Sequence, residues 1–395
     1  MDYPNARAVR HADLPAELLQ PLSGIDQTPI AEIIGNPDPM TIPGPDDVTP
    51  GVHAILAAKS ADWPDDPDAP DYAHLQNHEA ASSFDLDATI IERLFRINRF
   101  RPDRGSGVVA IALRGAVLDS GHEAVDQTKV RLRNVRPDHG SLRCVIGFYW
   151  PDSGKISLFA GSTVPCPRYL AAQVGKSDTV ANQLPSGCYS YFVWRHRQLP
   201  FALRLSYGNR SVDELERGGL AAVLRSRDDL SLTVADPFIP GHPLDNIHCT
   251  YLLDYKSEYG ASFSSAGCLT VRGTPAPSQQ WAKFVGVLKG LGERRRVDLV
   301  MLTGKDAALA AANLGPQSIL RTGSRGAEVE ALQQRLGVTE TGYFGAGTMD
   351  ALTTHQRGLN AAQGLGAIAD GIYSAGTDQV TGWHVLNTGG EDDDV

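Results

Sequence analysis

Between residues 107 and 302 the chain passes through a series of short apolar runs, too brief for helices and rich in β-branched and aromatic side chains. They are Gly107 to Arg114, Lys129 to Arg133, Leu142 to Trp150, Ile156 to Ala160, Tyr189 to Trp194, Ala202 to Ser206 and Val297 to Leu302. Runs of this length, punctuated by Gly, Pro, Asn and Asp, predict strands. The middle of the chain is therefore expected to be mainly β, with one short helix from Leu86 to Ile97 and another from Trp281 to Leu291. Arg294-Arg295-Arg296 directly follows that second helix and reads as basic charge at a helix C-terminus. A net charge of -10 and a pI near 5.5 disfavour a nucleic-acid partner. No apolar run approaches the ~20 residues that a membrane span requires.

The two ends differ from this centre. Residues 1–83 carry proline and aspartate clusters at Asn36 to Pro39, Pro43 to Asp47 and Trp63 to Pro70. Proline-rich backbone of this kind cannot propagate regular structure, so the segment reads as an extended arm that docks on the core or meets a partner. Residues 306–317, with the Ala/Gly-rich stretch Ala307 to Gly315, read as a linker. Beyond it, Ser324 suits a helix cap and Glu328 a first turn, while Val329, Leu332 and Leu336 fall on one helical face. Two similar turns follow, Gly342 to Thr348 and Asp370 to Thr377, each leading into helical apolar spacing, Met349 and Leu352 and then Val380 and Trp383. This is an internal pseudo-repeat over 318–386. The tail, 387–395, is acidic and reads as solvated.

Chemistry concentrates at His248 and at Ser265-Ala266-Gly267-Cys268. A thiol is nucleophilic only as the thiolate, and a nearby imidazole is the usual means of producing it. Gly267 allows a tight turn before the thiol, with backbone N–H groups available to a developing oxyanion. A Gly-Cys pair alone carries no weight, since Gly187-Cys188 is a second one. No histidine precedes Cys188 closely, and it reads as a structural thiol at a turn entering an aromatic strand. Cys249 alternates with His248 along a strand and should face the other way. His242, Asp245 and His248 offer a metal reading, but no second ligand cluster completes it, so no metal or cofactor is expected. His196, between two arginines, reads as a surface strand residue.

The histidine followed by Ser265-Ala266-Gly267-Cys268, together with Phe159 to Thr163 and Leu184 to Tyr189 upstream, resembles the L,D-transpeptidase (YkuD-like) family. In that family a histidine usually stands where this chain has Ala266, and an arginine two residues after the cysteine, where it has Thr270; the nearest arginine is Arg272. The C-terminal pseudo-repeat resembles the three-helix peptidoglycan-binding module of many cell-wall enzymes, through Arg325-Gly326, Leu332-Gln333, Phe344-Gly345, Thr348, Gln356, Asp370-Gly371 and Gly376-Thr377, with His355 where an aromatic is usual. The resemblance implies an α+β chain: a mainly-β catalytic domain over 84–305, a small three-helix wall-binding domain over 318–386 and the proline-rich arm. It implies Cys268 as nucleophile and His248 as base, with Ser265 and Gly267 shaping the site and Arg272 binding a substrate carboxylate. Stem peptides of peptidoglycan would be the substrate, through a thioester resolved by an amine or by water. No secretory signal is visible at Met1 to Asn5, so the expectation is cytoplasmic synthesis and delivery to the wall or periplasm by a phage-tail or injection-type apparatus. A non-catalytic wall-binding protein is the alternative.

Overall fold

The computed structural model describes residues 63–386, apart from 168, 171–180, 182, 197–198, 206–220, 225–231, 237, 242–244, 252–261, 277–278 and 364–367. The arm up to residue 62, position 242 and the acidic tail lie outside the described residues.

The fold is mixed α+β. Its strands are β1 (Ser83–Asp87), β2 (Val109–Arg114), β3 (Ala116–Leu118), β4 (Ala124–Gln127), β5 (Lys129–Asn134), β6 (Cys144–Trp150), β7 (Lys155–Ser162), β8 (Gly187–His196), β9 (Leu199–Arg204), β10 (Ala221–Leu224), β11 (Phe238–Gly241), β12 (Ile247–Cys249), β13 (Leu269–Val271) and β14 (Arg296–Thr303). The helices are α1 (Ala88–Ile97), α2 (Gln279–Leu291), α3 (Gly304–Ala311), α4 (Ala327–Leu336), α5 (Ala346–Gln363) and α6 (Ala375–Thr381). The main sheet runs β13-β12-β9-β8-β14-β2-β6-β7-β4, and β7 also pairs with β13, which closes the sheet into a barrel-like ring. β4 takes the Ile156 to Leu158 part of the β7 edge, and β13 takes Gly161 and Ser162. That seam is short: Thr270 opposes Ser162 and Val271 opposes Gly161.

Side-chain alternation explains why β2 is buried throughout. Val109, Ile111 and Leu113 join Val145, Tyr149 and Leu158 in a core with α1, α3 and the small sheet β1-β5-β3. Ala110 and Ala112 face the other way, into a core with Phe148, Phe159, Tyr191, Leu203 and Val271, against which α2 lays Trp281, Phe284 and Leu288. Phe284 packs at 4.6 Å from Phe148 and 6.0 Å from Phe159, centroid to centroid.

Two boundaries differ from expectation. Residues 63–83, expected to belong to the arm, include side chains packed into the folded body. Trp63, Ala69, Tyr72 and Leu75 are buried, and Asp71 forms a fully buried ion pair with Arg114. The Arg114 guanidinium also donates to Thr163 Oγ1 at 2.9 Å, Thr163 O at 3.0 Å and Leu184 O at 2.9 Å, so this buried charge is paired and hydrogen-bonded. Second, the expected linker begins as α3, opened by a capping box between Thr303 and Asp306 and burying Ala307, Ala308, Leu309 and Ala310. Alanine is the strongest helix former, so this small-residue stretch supplies helix and close packing rather than a flexible joint.

The C-terminal segment carries three helices, α4 to α6, and is joined closely to the rest. Cys188 N–H donates to Thr322 O at 2.9 Å, Ile319 N–H to Ile97 O at 2.9 Å and Ser324 Oγ to Asn98 O at 2.7 Å. Arg321, fully buried, donates to Ser186 Oγ at 2.7 Å, Asp306 Oδ1 at 3.0 Å and His74 Nε2 at 3.0 Å. His74 lies 3.8 Å from Asp370. Burial pushes the Asp370 carboxyl up to about 7. Burial, with Arg321 beside it, holds His74 below its ordinary value. Burial would also raise Asp306, but Arg321, His74 and Thr303 overcome it and keep that carboxyl well below the usual range.

The pseudo-repeat has a physical basis in two buried glutamines. Gln333 of α4 accepts from the N–H groups of Thr341 and Gly342 and donates to Tyr343 O, Thr341 Oγ1 and Thr348 Oγ1. Gln356 of α5 accepts from Gly371 N–H and donates to Ile372 O and Asp370 Oδ1. Each holds a glycine turn against the helix before it. His355, at the expected aromatic position, packs on Trp383 at 4.5 Å.

Candidate active site

β12 and β13 run parallel, with Ile247 opposite Leu269 and His248 opposite Thr270. Leu269 N–H donates to Asn246 O and Thr250 N–H to Val271 O, at 2.8 and 2.9 Å. Ile247, Cys249, Leu269 and Val271 point into the α2-side core. The period of two then puts His248, Cys268 and Thr270 on the opposite face. Cys268, next to Leu269, and His248 are thus diagonal neighbours by register on adjacent strands. Both are buried. Cys249 faces away, and burial pushes its thiol up to about 12. Cys188 is buried at the start of β8.

The imidazole has a defined tautomer. His248 Nδ1 lies 2.6 Å from Cys249 O. A carbonyl only accepts, so Nδ1 carries a hydrogen, and in the neutral imidazole the lone pair then sits on Nε2, the form a general base needs.

The turn before Cys268 is set by Ser265. Its Oγ donates to Cys268 O at 2.6 Å and accepts from Gly267 N–H at 3.0 Å, while Ser265 O accepts from Cys166 N–H at 2.8 Å. Gly267 adopts φ 155°, a backbone state that side chains with a Cβ rarely enter. Its N–H is engaged by Ser265, which corrects the expectation that this group faces an oxyanion. Arg272 is four residues beyond Cys268, roughly 13 Å along an extended strand. Its N–H donates to Ala160 O and its carbonyl accepts from Trp281 N–H, both at 2.9 Å, which places it where the strand turns into α2. The register thus sets His248 and the Ser265–Cys268 turn on neighbouring strands, with Arg272 at the far end of β13.

Two residues that sequence reasoning passed over share the face. His196 is buried, not on the surface, and its ring stacks on His248 at 5.5 Å and 11°. Asn246 Nδ2 donates to its Nδ1 at 3.4 Å. Arg204, the last residue of β9, follows Leu203, which opposes Ile247; it therefore faces Asn246 on the side of Cys268. Its Nε is closed to solvent and has no hydrogen-bond partner among the described residues, and the same holds for Thr270 Oγ1. Phe192 and Trp194 complete the face as a small apolar pair of their own. The signal for His196 and Arg204 was alternation along two adjacent strand runs, which becomes usable only once the pairing of β9 with β12 is known.

Asp245 is buried at the start of β12. Among the described residues no group of three or more His, Cys, Asp or Glu side chains could hold a metal, and no helix is long and apolar enough to cross a membrane. In comparisons with protein-family models, curated proteins and solved structures, none matches this chain.

Proposed function

We propose that the chain is a cysteine-dependent acyl-transfer enzyme acting on peptidoglycan stem peptides, an L,D-transpeptidase or a related carboxypeptidase or endopeptidase, with its C-terminal helices binding the wall polymer. One observation carries the reading: the register sets Cys268 and His248 diagonally on one sheet face, and the His248 imidazole is oriented through Nδ1 by Cys249 O. His248 takes the thiol proton, Cys268 attacks a peptide carbonyl, the C–N bond breaks as the leaving amine takes the proton back from His248, and a thioester remains. An amine or water then resolves it. Ser265 serves this chemistry by shaping the turn that presents the thiol.

A second reading, a non-catalytic wall-binding protein, draws on the complete burial of the Cys268 side chain. Mass spectrometry of muropeptides separates the two. Incubation with the full chain should yield shortened or exchanged stem peptides, and Cys268→Ala should yield none while still sedimenting with insoluble peptidoglycan. Muropeptides returned unchanged by the wild-type chain, with sedimentation intact, would leave only the second reading.

A further inference from the structure

We propose that Arg204 is a second positive partner of the Cys268 thiolate, so that a fixed guanidinium as well as the His248 imidazole holds the nucleophile ionised; this rests on the acyl-transfer reading of the site. The register supplies the geometry. Arg204 faces Asn246 across β9 and β12, and the bond from Leu269 N–H to Asn246 O sets Cys268 beside Asn246 on β13. The three side chains form a row across one face, whose ends lie two strand spacings apart, ~10 Å. The long arginine side chain can extend along that row, and the Cys268 charge acts on the Arg204 guanidinium.

The electrostatics ask for an anion at that place. Burial lowers the Arg204 pKa, Cys268 raises it, and Arg195 lowers it further; among the described residues these are the groups whose charge acts on Arg204, and none is a carboxylate. Arg204 is half-buried with its Nε closed to solvent and unpartnered among the described residues, a partly desolvated cation that an opposite charge stabilises, and the acidic group that acts on it is the Cys268 thiol. His248 and His196 share the face, whereas Tyr191 belongs to the α2-side core and donates to Asp245 O at 2.7 Å, its hydroxyl pKa raised first by burial and then by the charges of Asp245 and Cys268. The Arg204 guanidinium stays charged across the neutral range, so its attraction for the thiolate does not depend on the protonation state of an imidazole. The acyl-transfer step is otherwise unchanged: S–C forms, C–N breaks, and His248 returns the proton to the leaving amine.

The test is a pH titration of thiolate ultraviolet absorbance, taken as wild type minus Cys268→Ala, which needs no reagent to enter the site. Arg204→Met and Arg204→Gln should each move the Cys268 midpoint up by about one pH unit or more, and Arg204→Lys, which keeps the charge, by less. Iodoacetamide labelling of Cys268 at neutral pH should fall about tenfold in the neutral variants, as that shift requires. Either neutral variant, folded by near-ultraviolet circular dichroism, with the wild-type midpoint would overturn the proposal. If both neutral variants fail to fold, Arg204→Lys decides: a midpoint near that of wild type supports a charge role, and one displaced by more than about a unit overturns it. Unchanged muropeptides with a displaced midpoint would remove the enzyme and keep the ion pair; an active enzyme with an unmoved midpoint would do the reverse.

Discussion

At the residue scale, His248 is distinguished by having one nitrogen already committed. The Cys249 carbonyl fixes the tautomer, and the stacked His196 ring confines the plane of the imidazole. His248→Ala should lower stem-peptide turnover by about a hundred- to ten-thousand-fold, the usual contribution of a positioned base, with Cys268 thiolate absorbance at neutral pH largely retained through Arg204. Turnover within tenfold of wild type would exclude His248 as the base. Which thiol to examine was readable in the chain, because His248 and the glycine turn before Cys268 are local features. Arg204 was not readable: it lies far from Cys268 in sequence, and only the β9–β12 register brings the two to one face.

At the scale of elements, the β7–β13 seam rests on a glycine. A Cβ on Gly161 would overlap the Thr270 carbonyl and crowd the Ile146 side chain, so β13 could not approach. Gly161→Ala should destabilise the fold by about 1–3 kcal/mol, the usual range for overpacking, measured as a lower urea midpoint. A midpoint equal to wild type would mean that the seam contributes nothing. Gln333→Leu should also destabilise, by about 2–4 kcal/mol, because it strands buried partners in the Thr341 to Tyr343 turn and removes the bond to Thr348. The strands of the ring were legible because period-two alternation and short apolar runs survive in the sequence. Helix α3 was not, since Ala-rich stretches look alike whether they link or pack, and its capping box is a single Thr and Asp.

At the scale of the whole molecule, the C-terminal helices are held to the body by buried charge and backbone bonds. Removing residues 316–395 takes away Arg321 and leaves Asp306, His74 and Ser186 without it. The truncated chain should melt well below the full one, with Arg321→Met costing about 3–5 kcal/mol through the unpaired Asp306; an unchanged melting temperature would show the junction to be dispensable. The His74–Asp370 contact predicts a compensated pH response. Folding lowers the proton affinity of His74 and raises that of Asp370, so the two pH dependences run in opposite senses and should partly offset each other in wild type. Asp370→Asn exposes the depressed histidine, whose stability contribution is present above pH 6.5 and lost below it. His74→Gln exposes the raised carboxyl, whose contribution is full below 3.8 and lost as pH rises through about 7, on the order of 2–4 kcal/mol. Melting temperatures across pH 4 to 8 should therefore slope in opposite directions for the two variants, and parallel curves would rule the exchange out. Nothing in the order of residues announced this junction, because its members come from four separated stretches of the chain.

The ring closure also sets an order of events in folding. β13 meets β7 through two opposed pairs between residues more than a hundred positions apart, whereas β6 and β7 form a hairpin through seven. Contacts of such sequence separation form late and slowly, since the chain loses loop entropy before gaining contact energy. The thiol strand is thus the closing stave of the ring, and burial of Cys268 would serve as a built-in clock for the last step of refolding.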